Sequence, residues 1–357
     1  MPSPADRPDD TALPRYDISR SYEWNYNHAP AAVEIEPPPF PGVWSLCGLA
    51  VDSPLGIPAG PLLNGAWIRY YASLGFDVLT YKTVRTSPQA CYPLPNLQPV
   101  TTAPLPFSGR RVHATETFSG SWAVSFGMPS QPADTWRKDI EQTRRNLPTG
   151  KLLSVSVVGT TDGPSDGLEQ LADDYALCAQ WAAESGADLV EANFSCPNVC
   201  STDGQLYEQA EAAGLVAERI SERLNATPLA IKVGLLPDRA QAARLLHAIA
   251  PFVQAVSMTN CISAKIEGPT GETLFGDASR GIGGEAIRAA SVEQVRTFRE
   301  LIVEGGLDIE LIGVGGAAST ADVQEYLSAG ATSVQMATAA MIDPLTAVRI
   351  RREWPNV

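Results

Sequence analysis

Short apolar runs alternate with amphipathic stretches from about residue 150 onward. The run LLSVSVVG at 152–159 has the pattern of a buried strand, and apolar residues at helical spacing over 167–185 predict a helix after it. The pair recurs, with strand-like runs at 189–194, 229–233, 255–259, 310–314 and 333–337. Helical patterns follow at about 206–225, 238–250, 290–304, 320–329 and 344–353. Such alternation predicts parallel strands joined by helical crossovers.

Two earlier strands, at 55–59 and 78–83 with a helix near 66–74 between them, complete a set of eight. Eight strand and helix units in about 300 residues favour an α/β fold of the closed (β/α)8 TIM-barrel type, and an open doubly wound sheet remains the alternative. Segment 84–150 interrupts the alternation and is rich in proline. It predicts an active-site insertion between strands 2 and 3, acting as a lid or a substrate wall.

The remaining N-terminal residues divide into two parts. Residues 1–15 are polar and rich in proline and aspartate, so we expect a disordered tail that is neither a signal peptide nor a membrane anchor. Residues 16–45 are rich in aromatics and prolines, which predicts an extension that packs on the barrel. The barrel itself is expected to cover 46–357, including the insertion at 84–150.

Composition and charge narrow the class of partner. A hydrophobic content of 44% indicates a sizeable aliphatic core, and no apolar run approaches the ~18 residues of a membrane span, so no membrane partner is expected. A net charge of −14 argues against nucleic acid, which is bound through clustered Lys and Arg. The six cysteines are scattered and lack a CxxC pair, which favours a reduced, cytoplasmic protein with no metal site.

In a barrel, residues at the carboxyl ends of the strands meet at one mouth, and here those residues are polar or small. The chain places Lys82 and Thr83, Asn193, Lys232, and Asn260 at four of these ends. The ends of strands 7 and 8 are the recurrent phosphate site of this fold, and the small residues there and in the loop after strand 6 suit one. They are Gly283, Gly284, Gly315, Gly316, Ala337 and Thr338.

A phosphate site together with two lysines on buried strands predicts flavin mononucleotide (FMN), whose ring gathers negative charge when it is reduced. Lys82 and Lys232 would face that ring, because a lysine buried without a partner is costly. Each feature also has a simpler interpretation. The glycines can be tight turns, and either lysine can extend its ammonium to solvent.

Several motifs together resemble the dihydroorotate dehydrogenase family, in its soluble, cysteine-using branch. They are KT at 82–83, NFSCPN at 193–198, IKVG at 231–234, TNC at 259–261, GIGGEAIR at 281–288, LIGVGGAAS at 311–319 and GATSVQMATA at 330–339. The resemblance covers about residues 45–345, in the family's order, and NFSCPN is its most specific part.

The resemblance implies an FMN-dependent barrel enzyme, a homodimer, that oxidises dihydroorotate to orotate. It implies that Cys196 is the catalytic base, with Lys82 also in a catalytic role; a buried, inert thiol is the alternative for Cys196. The implied substrate contacts are Asn193, Asn198, Asn260 and Ser125. The implied cofactor contacts are Ala59, Gly60, Lys82, Thr83, Asn193, Lys232, Gly283, Gly284, Gly315, Gly316, Ala337 and Thr338.

Four positions depart from the family pattern. Val124 and Ser130 stand where the family has asparagines, Ala337 replaces a glycine and Cys261 replaces a hydroxyl residue. A missing amide contact leaves the substrate open, because a site built around a hydrogen bond discriminates strongly against its loss. The alternatives are another cyclic amide or dihydropyrimidine, or a non-redox phosphate-binding barrel.

The electron acceptor is also open. The chain has no iron–sulfur cysteine cluster and no dinucleotide-binding GxGxxG after a strand, so use of NAD would require a partner subunit. The absence of an N-terminal membrane helix disfavours quinone. Fumarate, oxygen or a soluble carrier remain.

Overall fold

The computed structural model describes residues 13–160, 167–195 and 205–355, and its centre is a closed barrel of eight parallel strands. In chain order, β1 to β8 are Leu55–Ile57, Val78–Val84, Leu152–Val157, Leu189–Asn193, Leu229–Lys232, Ala255–Met258, Glu310–Val314 and Ser333–Gln335. Each strand pairs with the next, and β8 pairs with β1. The predicted (β/α)8 barrel is therefore confirmed, and the open sheet is wrong.

The strands are short and rich in aliphatic residues because both of their faces are covered. Every residue of β2 and of β4, for example, is buried. The helices that cover the barrel are Gly65–Ser73, Ala133–Asn146, Leu168–Glu184, Ala210–Leu224, Arg239–Ile249, Arg288–Gly305, Thr320–Ala329 and Thr346–Glu353. Shorter helical segments are Tyr22–Asn27, Leu206–Glu208, Phe275–Asp277, Glu285–Ile287 and Thr338–Ile342.

Segment 84–150, read from the sequence as an insertion, contains a barrel helix. Ala133–Asn146 is the crossover from β2 to β3, and it buries Trp136, Ile140 and Thr143, which are spaced to share one face. The irregular part of the segment precedes this helix. It supplies the strands Leu97–Val100, Arg110–His113 and Ser121–Val124.

These three strands join two more, from the connection after β6, in a five-stranded sheet that we call the rim sheet. Its order is Leu97–Val100, Ser121–Val124, Arg280–Gly284, Ile262–Glu267 and Arg110–His113. Residues 281–284, predicted from the sequence to lie in a loop, are thus part of a strand. Gly284 is required there: its φ is +97°, and a Cβ would lie 2.2 Å from the Gly120 carbonyl oxygen.

The opposite, amino-terminal end of the barrel is closed. The hairpin of Trp44–Leu46 and Leu49–Val51 packs Leu46 and Val51 against the first residues of several strands, Val78, Leu152 and Leu189 among them. The carboxyl end, beneath the rim sheet, is therefore the end that is open to ligands.

The segment from residue 13 to the hairpin lies against the first barrel helix and the loop at Phe126. Tyr16 and Tyr22 meet the Phe126 ring edge-on, with centroids 6.0 and 6.2 Å away. The Trp67 indole donates to the Asn25 carbonyl at 3.1 Å. Across the described ranges, none of the helices combines the length and apolar character that a bilayer span needs.

Candidate active site

A cavity of about 1050 Å³ opens at the carboxyl end of the barrel, beneath the rim sheet. Fourteen of the sequence-predicted site residues line it: Ala59, Gly60, Lys82, Thr83, Ser125, Asn193, Lys232, Asn260, Gly283, Gly284, Gly315, Gly316, Ala337 and Thr338. The other two, Cys196 and Asn198, lie outside the described residues. Residues that are up to 279 positions apart in sequence are thus brought to one site by the barrel topology.

Two amides and a hydroxyl form a hydrogen-bonded cluster in this cavity. Asn193 is the last residue of β4, and its Oδ1 accepts from the Ser195 hydroxyl at 2.8 Å and from the Ser195 amide at 3.2 Å. Asn260, which follows β6, donates from Nδ2 to the Ser195 hydroxyl. The cluster fixes the orientation of both amides and anchors the chain immediately before Cys196.

Lys232, the last residue of β5, is buried with only 5% of its surface exposed. Its Nζ makes no hydrogen bond to any residue that the structure describes, and the nearest carboxylate oxygen, Glu191 Oε2, is 3.9 Å away. Glu191 Oε1 also lacks a hydrogen bond among the described residues. Since burying an ammonium without hydrogen bonds is costly, the position suits a ligand that brings an acceptor.

Lys82 lies at the end of β2 and is also buried. Burial lowers the pKa of its ammonium to about 8, and the neighbouring Arg85 acts in the same direction. An anion placed in the cavity would favour the charged form of Lys82. Beside it, the Thr83 hydroxyl lies 3.0 Å from the Ser156 hydroxyl and is held by it.

Another part of the cavity lining is formed by backbone at small residues. Gly316 follows β7 with a φ of +77°, and a Cβ there would lie 2.6 Å from the Gly284 carbonyl oxygen. The loop after β7 and the rim strand therefore approach as closely as glycine allows. Ala337 and Thr338 follow β8 in the same part of the lining. Small residues at these strand ends are the usual setting for a bound phosphate in this fold.

The departures from the family pattern differ in their positions. Val124 and Cys261 line the cavity, whereas Ser130 does not belong to its lining. The Ser130 hydroxyl accepts from the Arg85 amide and donates to the Gln131 carbonyl, both at 3.0 Å, so it stabilises the loop. Burial raises the pKa of Cys261 to about 11, which keeps this thiol neutral.

Several charged residues of the cavity were not predicted as site residues from the sequence, and Arg280 is one of them. Its signal was a cation directly before the glycine run at 281–284, which was taken for a loop. Among the described side chains, no group of three or more His, Cys, Asp or Glu residues is placed to hold a metal ion. Cys47, Cys91, Cys178 and Cys261 are free thiols.

Comparison with known proteins agrees with this architecture. The family model for dihydroorotate dehydrogenase matches residues 44–357. A dihydroorotate dehydrogenase of Dictyostelium discoideum is 32% identical over 96% of this chain and 97% of its own length. The catalytic subunit of the NAD(+)-dependent dihydroorotate dehydrogenase B of Methanocella arvoryzae is 24% identical, over 83% of this chain and 86% of its own.

A solved structure is similar in fold. The crystal structure of a dihydroorotate dehydrogenase from Eimeria tenella, in complex with ferulenol, superposes with a TM-score of 0.70. The match covers 92% of this chain and 88% of that one, at 16% identity.

Fold, site and relatives define the class: this is an oxidoreductase built on a (β/α)8 barrel, acting on a CH–CH bond. The chain belongs to the dihydroorotate dehydrogenase family. The resemblance inferred from the sequence motifs is confirmed.

Proposed function

We propose that this protein uses FMN to oxidise dihydroorotate, or a closely related dihydropyrimidine, to orotate or the corresponding pyrimidine. The observation that carries the proposal is Lys232, an ammonium buried in the cavity without a hydrogen-bond partner among the described residues. A cation in this state stabilises negative charge on a ligand strongly, because little water competes for it. The flavin ring becomes more negative on reduction, so it is a ligand whose charge this cation would stabilise.

The residues of the cavity fit FMN. The small residues of the rim strand and of the ends of β7 and β8 would bind its phosphate. Lys82 and Lys232 would face its ring, together with Ala59, Gly60, Thr83 and Asn193, which line the same cavity. A volume of about 1050 Å³ is slightly above the usual range for ligand pockets, so the cavity has room for a second, smaller ring beside the cofactor.

Bound FMN supplies an acceptor for the two electrons that leave the substrate as hydride. We propose that the Cys196 thiolate takes the proton from the adjacent carbon, so that two C–H bonds break and one C=C bond forms. Asn193 and Asn260 would hold the ring through its C=O and N–H groups, with Asn198 and Ser125 as further contacts. Cysteine is mostly protonated at neutral pH, so the rate should rise with pH as the thiolate forms.

A second candidate keeps the flavin and changes the substrate. Val124 lines the cavity and offers no hydrogen bond, which favours a ring with one polar contact fewer. The non-redox phosphate-binding barrel is set aside, because the chain belongs to a family of oxidoreductases. A cytoplasmic homodimer is part of the proposal, with fumarate, oxygen, a soluble carrier or NAD through a partner subunit as its electron acceptor.

The first test is cofactor content and anaerobic reduction. We expect the purified protein to release one FMN per chain, identified by mass, and its yellow colour to bleach on addition of dihydroorotate without oxygen. FAD, or a folded protein without flavin, would contradict the proposed cofactor. A flavin that dihydrouracil bleaches and dihydroorotate does not would support the second candidate instead.

The second test uses the lowered pKa of Lys82. In the free cavity Lys82 loses its proton near pH 8, and a bound anion raises that pKa, so above pH 8 binding takes up a proton. FMN should therefore bind the cofactor-free protein less tightly as pH rises from 7 to 9, by up to about tenfold per pH unit above 8. Calorimetry in buffers of different ionisation enthalpy measures the proton uptake.

Lys82→Met should abolish this proton uptake. Lys138→Met, which removes an exposed lysine, is the matched control and should leave it unchanged. Equal proton uptake by the Lys82→Met variant and the wild type would show that another group titrates.

A further inference from the structure

We propose that Arg280 determines substrate specificity by binding a carboxylate on the substrate ring. This inference rests on the proposed function and deepens it: the substrate would be a dihydropyrimidine-like ring carrying a carboxylate rather than a neutral ring. Arg280 lines the same cavity as Asn193, Asn260 and Lys232.

Arg280 begins the rim strand that borders the cavity. Gly281 pairs with Val124 across the sheet, which brings Arg280 opposite Ser125. The Arg280 Nε donates to the Ser125 hydroxyl at 2.8 Å, and its Nη1 donates to the Ser279 carbonyl at 3.0 Å. The guanidinium is thus tied to a predicted substrate contact.

Two aromatic rings fix the guanidinium. Its central carbon lies 4.9 Å from the centroid of the Phe275 ring and 5.7 Å from that of the Tyr92 ring. Contacts of this kind attract the cation and take no hydrogen-bond donor from it. The Arg280 Nη2 donates to no described residue, so part of the planar donor edge is available to a ligand.

Charge pairing separates Arg280 from the other arginines of the cavity. Arg288 lies 3.1 Å from Asp322, and Arg349 forms an ion pair with Asp343. Arg280 has no carboxylate within 4.0 Å among the side chains that the structure describes, in a chain of net charge −14. An arginine is always charged, and its fork matches a carboxylate. Arg280 is therefore placed to bind an anion that comes from outside the chain.

The contact between Arg280 and a substrate carboxylate matters more because the Val124 side chain cannot form a hydrogen bond. Val124 brings an aliphatic group to the same region of the rim sheet, at a position where the resemblance implies an asparagine. An ionic contact from Arg280 would replace the lost amide contact, and it would favour a charged ring over a neutral one. Hydrogen bonds to charged groups contribute enough to make that preference about 10- to 100-fold.

The test compares ligands that differ only in the carboxylate. We expect Arg280→Met, prepared with its cofactor, to bind orotate about 10- to 100-fold more weakly than wild type and to bind uracil with a change of no more than about twofold. The kcat/KM for dihydroorotate should fall by the same factor. Arg280→Lys keeps the charge but loses the planar pair of donors. Its affinity for orotate should therefore lie between those of wild type and Arg280→Met.

Arg110→Met is the matched control. Arg110 also lies on the rim sheet and stacks on an aromatic ring, at 5.0 Å from the Phe107 centroid, but it is exposed and does not line the cavity. It should leave the affinity for orotate unchanged. If Arg280→Met loses FMN, Arg280→Lys carries the comparison.

Three results would overturn the inference. The first is orotate binding by Arg280→Met within about twofold of wild type, and the second is an equal loss for uracil and orotate, which would place Arg280 at the ring. Either leaves the proposed function intact, provided that dihydroorotate bleaches the wild type. The third is a wild type that dihydroorotate does not bleach, which overturns the proposed substrate and the role of Arg280 together.

Discussion

The bound flavin of Cys196→Ala should be bleached by dihydroorotate about 10²- to 10⁴-fold more slowly than that of wild type, and the variant should keep its FMN. The expected loss is that of a general base. In the proposed mechanism the proton on the substrate carbon has no acceptor in the variant, while Asn193 and Asn260, which are proposed to hold the ring, are unchanged. Stopped-flow absorbance of the flavin under anaerobic conditions measures the single-turnover rate directly.

The serine variant and a second thiol make the experiment specific. Cys196→Ser should retain a small rate whose rise is shifted to higher pH, because a hydroxyl is a weaker acid than a thiol. Cys261→Ala is the control, since Cys261 is a thiol in the same cavity whose pKa of about 11 keeps it neutral. A Cys196→Ala rate within about tenfold of wild type at every pH would instead indicate a structural thiol.

The barrel could be predicted because its strands carry the signal locally. β2 and β4 are buried on both faces, and each begins with an aliphatic pair, Val78 and Leu79 or Leu189 and Val190, that gives a local strand signal although polar residues follow. The helix Ala133–Asn146 was missed because its sequence is dominated by charged and polar residues, with Trp136 and Ile140 as its large buried apolar side chains. It was therefore included in the predicted insertion, although it is the crossover helix from β2 to β3.

The rim sheet could not be predicted from local pattern. Ser121–Val124 pairs with Arg280–Gly284, more than 150 residues away, and neither strand is long or aliphatic. Gly284 of the second strand is required because the chain at Gly120 approaches it closely, and no sequence periodicity records that approach. Arg280 was missed for the same reason, since its place in the site depends on this pairing.

The site residues at the barrel strand ends were easier to predict, because the barrel fold determines where the strand ends lie. Once eight parallel strands are predicted, Lys82, Asn193 and Lys232 must lie at the same mouth. Their hydrogen-bonding state is a different matter. Asn193 is hydrogen-bonded by Ser195, whereas Lys232 has no hydrogen-bond partner among the described residues, and this difference depends on side-chain distances of a few ångströms.

Lys232→Met should lower the rate of bleaching by dihydroorotate about 10²- to 10³-fold, the range observed when one preorganised donor is removed from a developing anion. It should also make the flavin harder to reduce, with a midpoint potential lower by about 30 mV for each 1.4 kcal/mol of lost stabilisation. Both effects follow from removing the cation that faces the ring in the proposed complex. Potentiometric titration of the bound flavin gives the second quantity independently of substrate.

The double variant Lys232→Met, Glu191→Gln separates this electrostatic role from local damage. Glu191 is 1% exposed and lies 3.9 Å from the Lys232 ammonium, so the single variant leaves a buried carboxylate without its cation. The neutral amide should restore the thermal stability and FMN content that the single variant loses. It should not restore the flavin potential, because the positive charge is still missing. If the double variant regains the wild-type potential, the effect comes from the unpaired Glu191, and Lys232 is a structural partner of that carboxylate.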